Sequence, residues 1–417
     1  MRTFRATRWG RVSLLSAALA LLLLLFAGTA GTPHAEASLG TAKPSLKTKP
    51  SRSAADCALP AATAGDQADE GNEGHDTDYS VFQRPAGNLK VGMVFVDFAD
   101  APATESPTED AAQLTPGADW LRKASYGKVR LDITQHRRWV RMPRKSTDYG
   151  FERGLSHETH EAYIKDAVTA ADPDVDFSAY DTLYVVPTEN AKAISFSPAY
   201  IYAPGTDGVV ADGNRIEWSV TFGQDMWRWG PKVVAHETAH TFGLPDLYAF
   251  EAGDDGHRFV GGWDVMGLIS GAGPQYTAWH SWKLGWTGDG QVGCRTSAGS
   301  DTVRLTAVEQ PGGTKMAVVR TGPTTAYVVE SRRAVRADEG LCATGALVYK
   351  VDSSVSTGKG PIRVMDAEPD ATPEDGCRPL DDAPYKVGES FTDADAGVRI
   401  DVLSARDNGD TVRVTKS

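Results

Sequence analysis

The sequence predicts an α+β fold: a domain of mixed strands and helices followed by an all-β, sandwich-like domain. Three observations predict it. Between residues 89 and 289, short apolar runs of strand length alternate with stretches of helix length, as in a mixed sheet packed against helices. Beyond residue 290 the pattern becomes short alternating runs punctuated by Gly, Pro and Asp, the signature of antiparallel sheets. Hydrophobic residues make up 41% of the 417 and charged residues 24%, which supports a sizeable packed core and excludes wholesale disorder, collagen and a multi-span membrane protein.

The elements follow in chain order. Arg2, Arg5, Arg8 and Arg11 precede an apolar run from Val12 to Ala27, and Ala35-Glu36-Ala37 is a small-x-small cleavage site. That order is a secretory signal peptide over residues 1–37. The run is too short for a membrane anchor, so the mature chain is expected to be secreted, with no stable membrane association. Residues 38–88 are rich in Ala, Thr, Ser, Pro and Lys and then acidic, a low-complexity linker or short pro-segment. Val91 to Val96 reads as a buried strand, Trp120 to Tyr126 as helix, and Val129 to Val140 as strand. Ser156 caps a helix running to Ala170, and Asp181 to Val186 is a strand ended by Pro187. In the C-terminal domain, residues 290–417, strands are expected at Lys315–Arg320, Ala326–Glu330, Ala346–Val351, Val398–Leu403 and Thr411–Val414.

Charge and cysteines narrow the function classes. Lys plus Arg total 43 against 55 Asp plus Glu, a net charge of −12, and signal cleavage removes four Arg and one Glu. So acidic a chain is a poor nucleic-acid binder, because that binding rests on cationic neutralisation of phosphates. Cys57, Cys294, Cys342 and Cys377 meet an oxidising compartment after export. Four cysteines allow three pairings. Cys342–Cys377 with a long Cys57–Cys294 tie is the favoured one. The competing reading makes Cys57 a thiolate latency switch held on a metal.

The chemistry sits in Gly230 to Asp246. Pro231 suits the first turn of a helix, Gly243 a left-handed residue that ends one, and Pro245 prevents continuation. His236 and His240 are four apart and share one helix face, so two imidazoles reach one metal ion. Glu237 sits where a general base for zinc-activated water is needed, taking its proton and passing it to a leaving amine. His157-Glu158-Thr159-His160 has the wrong spacing for this geometry and reads as a solvated helix start.

A catalytic zinc needs a third protein ligand and an open position. No Glu occurs from residue 252 to 308, which leaves Glu251 as the sole downstream Glu nearby. Asp246, three residues past the Gly243 turn, is the favoured ligand, in an H-E-x-x-H-x-x-G-x-x-D pattern that varies the metzincin motif. Asp264, His257 and Asp254 are alternatives. Met266, in Trp263 to Gly267, suits a turn forming the apolar floor of the site.

The chain resembles the immune inhibitor A-like family of secreted bacterial zinc metallopeptidases. The resembling residues are His236 to Tyr248, Trp263 to Gly267 and Trp279 to Trp286. Val96 to Asp100, Ser125 to Lys128, Asp176 to Asp181, Tyr327 to Arg332 and Gly345 to Asp352 add to them. The resemblance spans roughly residues 90 to 417. It implies a metzincin-like zinc endopeptidase domain, a mixed sheet plus active-site helix, acting on protein or peptide substrates. The resemblance departs at two points. Residues 38–88 are short for a self-folding pro-domain, and Leu268 stands where some metzincins carry a tyrosine. Tyr248 or Tyr276 is the candidate to polarise the substrate instead.

Other features have bland readings beside functional ones. Seven of the ten Trp lie between Trp218 and Trp286, as an aromatic cleft or as core. Asp172, Asp174 and Asp176 alternate, but no full calcium-loop pattern supports a Ca2+ site. The expectation is a monomeric secreted endopeptidase with one catalytic zinc. Its rivals are a zinc-containing binding or structural protein, which a fourth protein ligand would favour, and a hydrolase of non-peptide amides, which a narrow pocket would favour.

Overall fold

The computed structural model describes residues 53–61, 71–251, 253–374 and 376–417. The expected signal peptide and its cleavage site lie outside the described residues. Residues 51–417 form one compact unit.

The first part is built on a five-stranded sheet. Its elements are β1 (Gly87–Asp97), α1 (Pro107–Ala124), β2 (Val129–Arg141), α2 (His157–Ala171), β3 (Thr182–Pro187), β4 (Ala199–Ile201), the hairpin β5 (Val209–Ala211) and β6 (Asn214–Ile216), β7 (Trp218–Thr221), α3 (Asp225–Trp229), α4 (Val233–Thr241) and α5 (Ala278–Lys283). The strand order is β2-β1-β3-β7-β4; every pairing is parallel except β4 with β7. Parallel neighbours need crossovers: α1 and α2 lie in those among β1, β2 and β3, and β4, β5 and β6 lie in the one from β3 to β7. The near-continuous apolar run of β1 follows, because both faces of the sheet are covered. Val91, Met93 and Phe95 enter one core with α1 and α4, while Val94 and Val96 enter the other with α2.

Local signals account for several boundaries. Ser156 Oγ accepts from Thr159 N at 3.2 Å and starts α2 where expected. Helix α1 begins earlier than the Trp120–Tyr126 expectation, because Ser106 and Glu109 form a capping box with Pro107 in the first turn. Gly117 on α1 is required by close approach: a Cβ there would lie 1.9 Å from Pro231 O, just ahead of α4.

The second part is all-β. It comprises β8 (Val292–Arg295), β9 (Gly299–Arg304), β10 (Met316–Arg320), β11 (Thr325–Arg332), β12 (Gly345–Asp352), β13 (Ile362–Val364), β14 (Ser390–Asp393), β15 (Val398–Arg406) and β16 (Gly409–Lys416). Sheets β13-β12-β11-β10-β8 and β14-β15-β16-β9 make a sandwich-like pair. Val319, Val329 and Val348 of the first pack with Ile400, Val402 and Val412 of the second. The opposite face, with Val318, Val328, Leu347 and Tyr349, joins the same core as α1 and α4. The fold is therefore an α+β domain followed by an all-β sandwich-like one, with one apolar core running between them.

The two disulfides are Cys57–Cys294 and Cys342–Cys377, with no free cysteine among the described residues. Cys57 is thus no metal-held thiolate. The stretch read as linker or short pro-segment packs closely where it is described. Cys57, Leu59, Glu73 and Phe82 are buried, and Lys283 Nζ donates to Gly74 O and Thr77 Oγ1. No helix of the described residues is long and apolar enough to cross a membrane.

Candidate metal centre

Helix α4 is short and buried on every side, so packing rather than intrinsic propensity holds it. It ends where Gly243 takes φ +90°, a conformation that L side chains rarely adopt; Phe82 and Thr77 pack against that turn. The chain then turns back and brings Asp246 to the helix.

His236, His240 and Asp246 converge, with their ligand atoms within 4.8 Å of one another. Asp246 Oδ1 lies 3.1 Å from His236 Nε2 and 3.4 Å from His240 Nε2. Each imidazole commits its other nitrogen to a carbonyl: His236 Nδ1 to Val265 O and His240 Nδ1 to Leu244 O, both at 2.8 Å. A carbonyl only accepts, so both Nδ1 atoms carry a proton and both Nε2 lone pairs face the carboxylate. Asp246 Oδ1 is buried without a hydrogen-bond donor. Acceptors converging in this way call for a cation, and two imidazoles plus one carboxylate suit a metal ion with a position left open. Without a metal, protons take that place. Burial pulls His240 down, but Asp246 beside it pushes it up to about 10. The same opposition holds Asp246 below the usual carboxylate range.

Glu237 is not in the ligand set. Its Oε1 lies 3.9 Å from His236 Nε2. Burial pushes its carboxyl up to about 8, against the pull of His236 and His240.

The other candidates fall elsewhere. Met266 is fully buried in its turn. The backbone of that turn is what serves the site: Val265 O holds His236, Met266 O accepts from Leu247 N at 3.0 Å, and Gly267 O holds His257 Nδ1 at 2.9 Å. Tyr248 lines the cavity with its ring 6.3 Å from that of His236. Tyr276 is buried and donates to Ala235 O at 2.8 Å, behind the helix. Asp264 is saturated by Met266 N, Thr277 N and His280 Nδ1. Glu251 is ion-paired with Lys359, and His257 lines the cavity rim. The Asp254 side chain lies outside the described residues. His157 and His160 do begin α2, but His160 is buried rather than solvated, bonded to Thr221 Oγ1 at 3.0 Å. Asp174 pairs with Arg138 and Asp176 caps Ser178 N. Trp263, Trp279, Trp282 and Trp286 are core residues, while Trp229 lines the cavity.

The cluster opens into a cavity of about 810 Å³. One wall is the segment Phe196 to Ala199, which leads into β4, the antiparallel edge of the sheet. Pro198 O accepts from Thr221 N and Tyr202 N donates to Glu217 O, so even-numbered residues bond inward to β7. By alternation the backbone N–H and C=O of Ala199 point outward. A second cavity, about 1100 Å³, surrounds the Cys342–Cys377 bond and contains no residue of the metal cluster.

Sequence reasoning missed this edge strand, the carbonyls that orient the imidazoles, and a buried chain linking Asp264, His280 and Glu73. His280 Nε2 lies 3.0 Å from Glu73 Oε1. Strand β4 is three residues long and has no periodicity to read.

No protein-family model matches the chain, and no curated protein matches it. The class of protein follows from the site and fold: a metzincin-like metal-binding cluster on an α+β domain, of the kind built in metalloprotease folds.

Proposed function

We propose that this chain is a secreted zinc-dependent endopeptidase of the immune inhibitor A-like family. The observation that carries the reading is the His236–His240–Asp246 cluster with Glu237 beside it, open to a cavity lined by Ala199 at the start of the edge strand. Zinc held by those three residues would supply Lewis-acid polarisation of a scissile carbonyl and acidify water. Ala199 orients an extended substrate through its outward N–H and C=O, adding a strand to the sheet. Glu237 Oε accepts the proton of the attacking water and delivers it to the leaving amine nitrogen. Val265 O and Leu244 O hold both imidazoles in the Nδ1–H tautomer throughout.

Two features argue against the rival readings. The cluster has three protein ligands and no fourth among the described residues, as a working site needs. The cavity is lined by the start of an edge strand at Ala199, a feature that suits an extended peptide better than a small amide.

The test is proteolysis of an unfolded protein by the zinc-loaded secreted form, beside Glu237→Ala, with metal counted in both. The expected result is cleavage by the parent and loss of at least about 100-fold in the variant, at equal zinc content. Zinc in both proteins with cleavage by neither would overturn the reading.

A further inference from the structure

Two arginines stand at the cleft, Arg153 acting on the Asp225 carboxylate and the Tyr248 hydroxyl there without forming an ion pair. Arg153 and Arg228 are both exposed, and both line the cavity that holds the metal cluster. No ion pair among the described residues includes either. The Arg228 guanidinium lies 4.4 Å over the Trp229 ring, a stacking contact that leaves its edge donors available.

Both arginines bracket the wall that leads into β4. Ser195 Oγ donates to Phe151 O at 2.9 Å, which ties the loop carrying Arg153 to that wall. Ser197 N and Oγ donate to Asp225 at 3.0 and 2.5 Å, which ties the start of α3 to it, and Arg228 lies three residues on, on the same face. The Asp225 carboxylate has both oxygens engaged in those bonds. Glu237 and Asp246 belong to the metal cluster. Asp255 acts on His257. Among the described residues the lining therefore offers a ligand two guanidiniums outside any ion pair, Arg153 also reaching the Tyr248 hydroxyl, and, beyond the cluster, no carboxylate free of hydrogen bonds.

We propose that Arg153 and Arg228 are specificity-determining residues that select peptides with an Asp or Glu side chain close to the scissile bond. This rests on the peptidase reading and deepens it. A strand laid along Ala199 runs between the two segments that carry the arginines. A carboxylate on that strand gains charge-assisted hydrogen bonds from a guanidinium, whose fork matches it. The long-range field of an acidic protein repels such a peptide, so the selection is local and weakens with salt.

The test uses paired quenched peptides that differ by Asp→Asn and Glu→Gln around the cleaved bond, with the zinc-loaded full chain at low and physiological salt. The acidic member is expected to have a kcat/KM higher by about tenfold, less at higher salt. In Arg153→Gln/Arg228→Gln the ratio falls to about one, and Arg228→Glu inverts it; zinc content and thermal midpoint report that each variant folds. A second readout is peptide binding by fluorescence anisotropy to zinc-loaded Glu237→Ala, where the same tenfold preference is expected. Cleavage without acid preference overturns this proposal and leaves the peptidase reading standing. Acid-selective binding without cleavage supports the arginine site and overturns the peptidase reading. A preference that survives the double variant overturns the assignment to these arginines, and neither cleavage nor selective binding overturns both.

Discussion

At the scale of single residues, the site is governed by which atoms hold protons. The Nδ1 atoms of His236 and His240 are pinned to carbonyls, so the Nε2 pair and Asp246 Oδ1 form an acceptor-only pocket that only a cation satisfies. Asp246 supplies the one formal negative charge among the three ligands. Asp246→Asn keeps the shape and removes that charge. It should weaken zinc binding by more than the roughly 10- to 100-fold that losing an outer hydrogen-bond partner costs. Zinc competition with a chromophoric chelator checks this, and unchanged affinity would remove Asp246 from the ligand set. Glu237 shows the complementary case. It lies one residue from a ligand, yet burial keeps its carboxyl up at about 8, a proton-holding value in the cluster without metal.

At the scale of elements, the metal helix is positioned by two neighbours. The 265–267 turn hands carbonyls to His236, Leu247 and His257. Asp264 anchors that turn to α5 through His280, whose other nitrogen reaches Glu73. Burial opposes charge on His280, but Asp264 and then Glu73 push it up to about 10. Its folded value is above the unfolded one of about 6.5. The stabilisation is therefore fully present below about pH 6.5 and is lost as pH rises through about 10. Asp264 runs the other way. Burial raises its carboxyl, His280 outweighs that, and the net value is depressed, so its contribution is lost as pH falls below the ordinary carboxylate range. Thermal unfolding of the metal-free protein should therefore lose midpoint progressively above pH 6.5. His280→Gln should reduce that alkaline decline, His240 carrying the remainder; a decline of equal slope in the variant would assign it to other groups.

At the scale of the whole molecule, the β domain is part of the scaffold of the metal cluster rather than an appendage. Fully buried Arg332 on β11 pairs with Glu330 and Asp338 and donates to Trp263 O at 3.0 Å and Gly273 O at 2.6 Å, on both sides of the 265–267 turn. The Cys57–Cys294 bond closes a separation of 237 residues, against 35 for Cys342–Cys377. Chain-entropy reasoning assigns the longer loop about 5 kcal/mol and the shorter about 4 kcal/mol. Cys57→Ser/Cys294→Ser should thus destabilise more in denaturant titration than Cys342→Ser/Cys377→Ser. Zinc content should stay unchanged in the first variant, since Cys57 is bonded to Cys294; zinc loss at full folding would revive the latency-switch reading.

Sequence alone determined the parts of this protein that are local. The His236–His240 spacing, the Gly243 turn and the three-residue step to Asp246 are set by helix geometry and backbone sterics, so their convergence was legible before any fold was known. The same holds for the long strands β1, β11, β12, β15 and β16, whose periodicity spans enough residues to read, and for five-residue β10, whose apolar run is unbroken through Val319. Short β4, β8, β13 and β14 carry too few residues for a pattern, and β9 is almost wholly exposed, so it shows no apolar alternation. The carbonyls that set the imidazole tautomers leave no residue-type signature, because every residue has one. Glu73 sits in an acidic run that reads as solvated, and only its burial against His280 shows otherwise. Where Arg153 and Arg228 stand was likewise decided by tertiary structure. They lie 75 residues apart in sequence, and the sheet edge between them exists only once β4 has paired with β7.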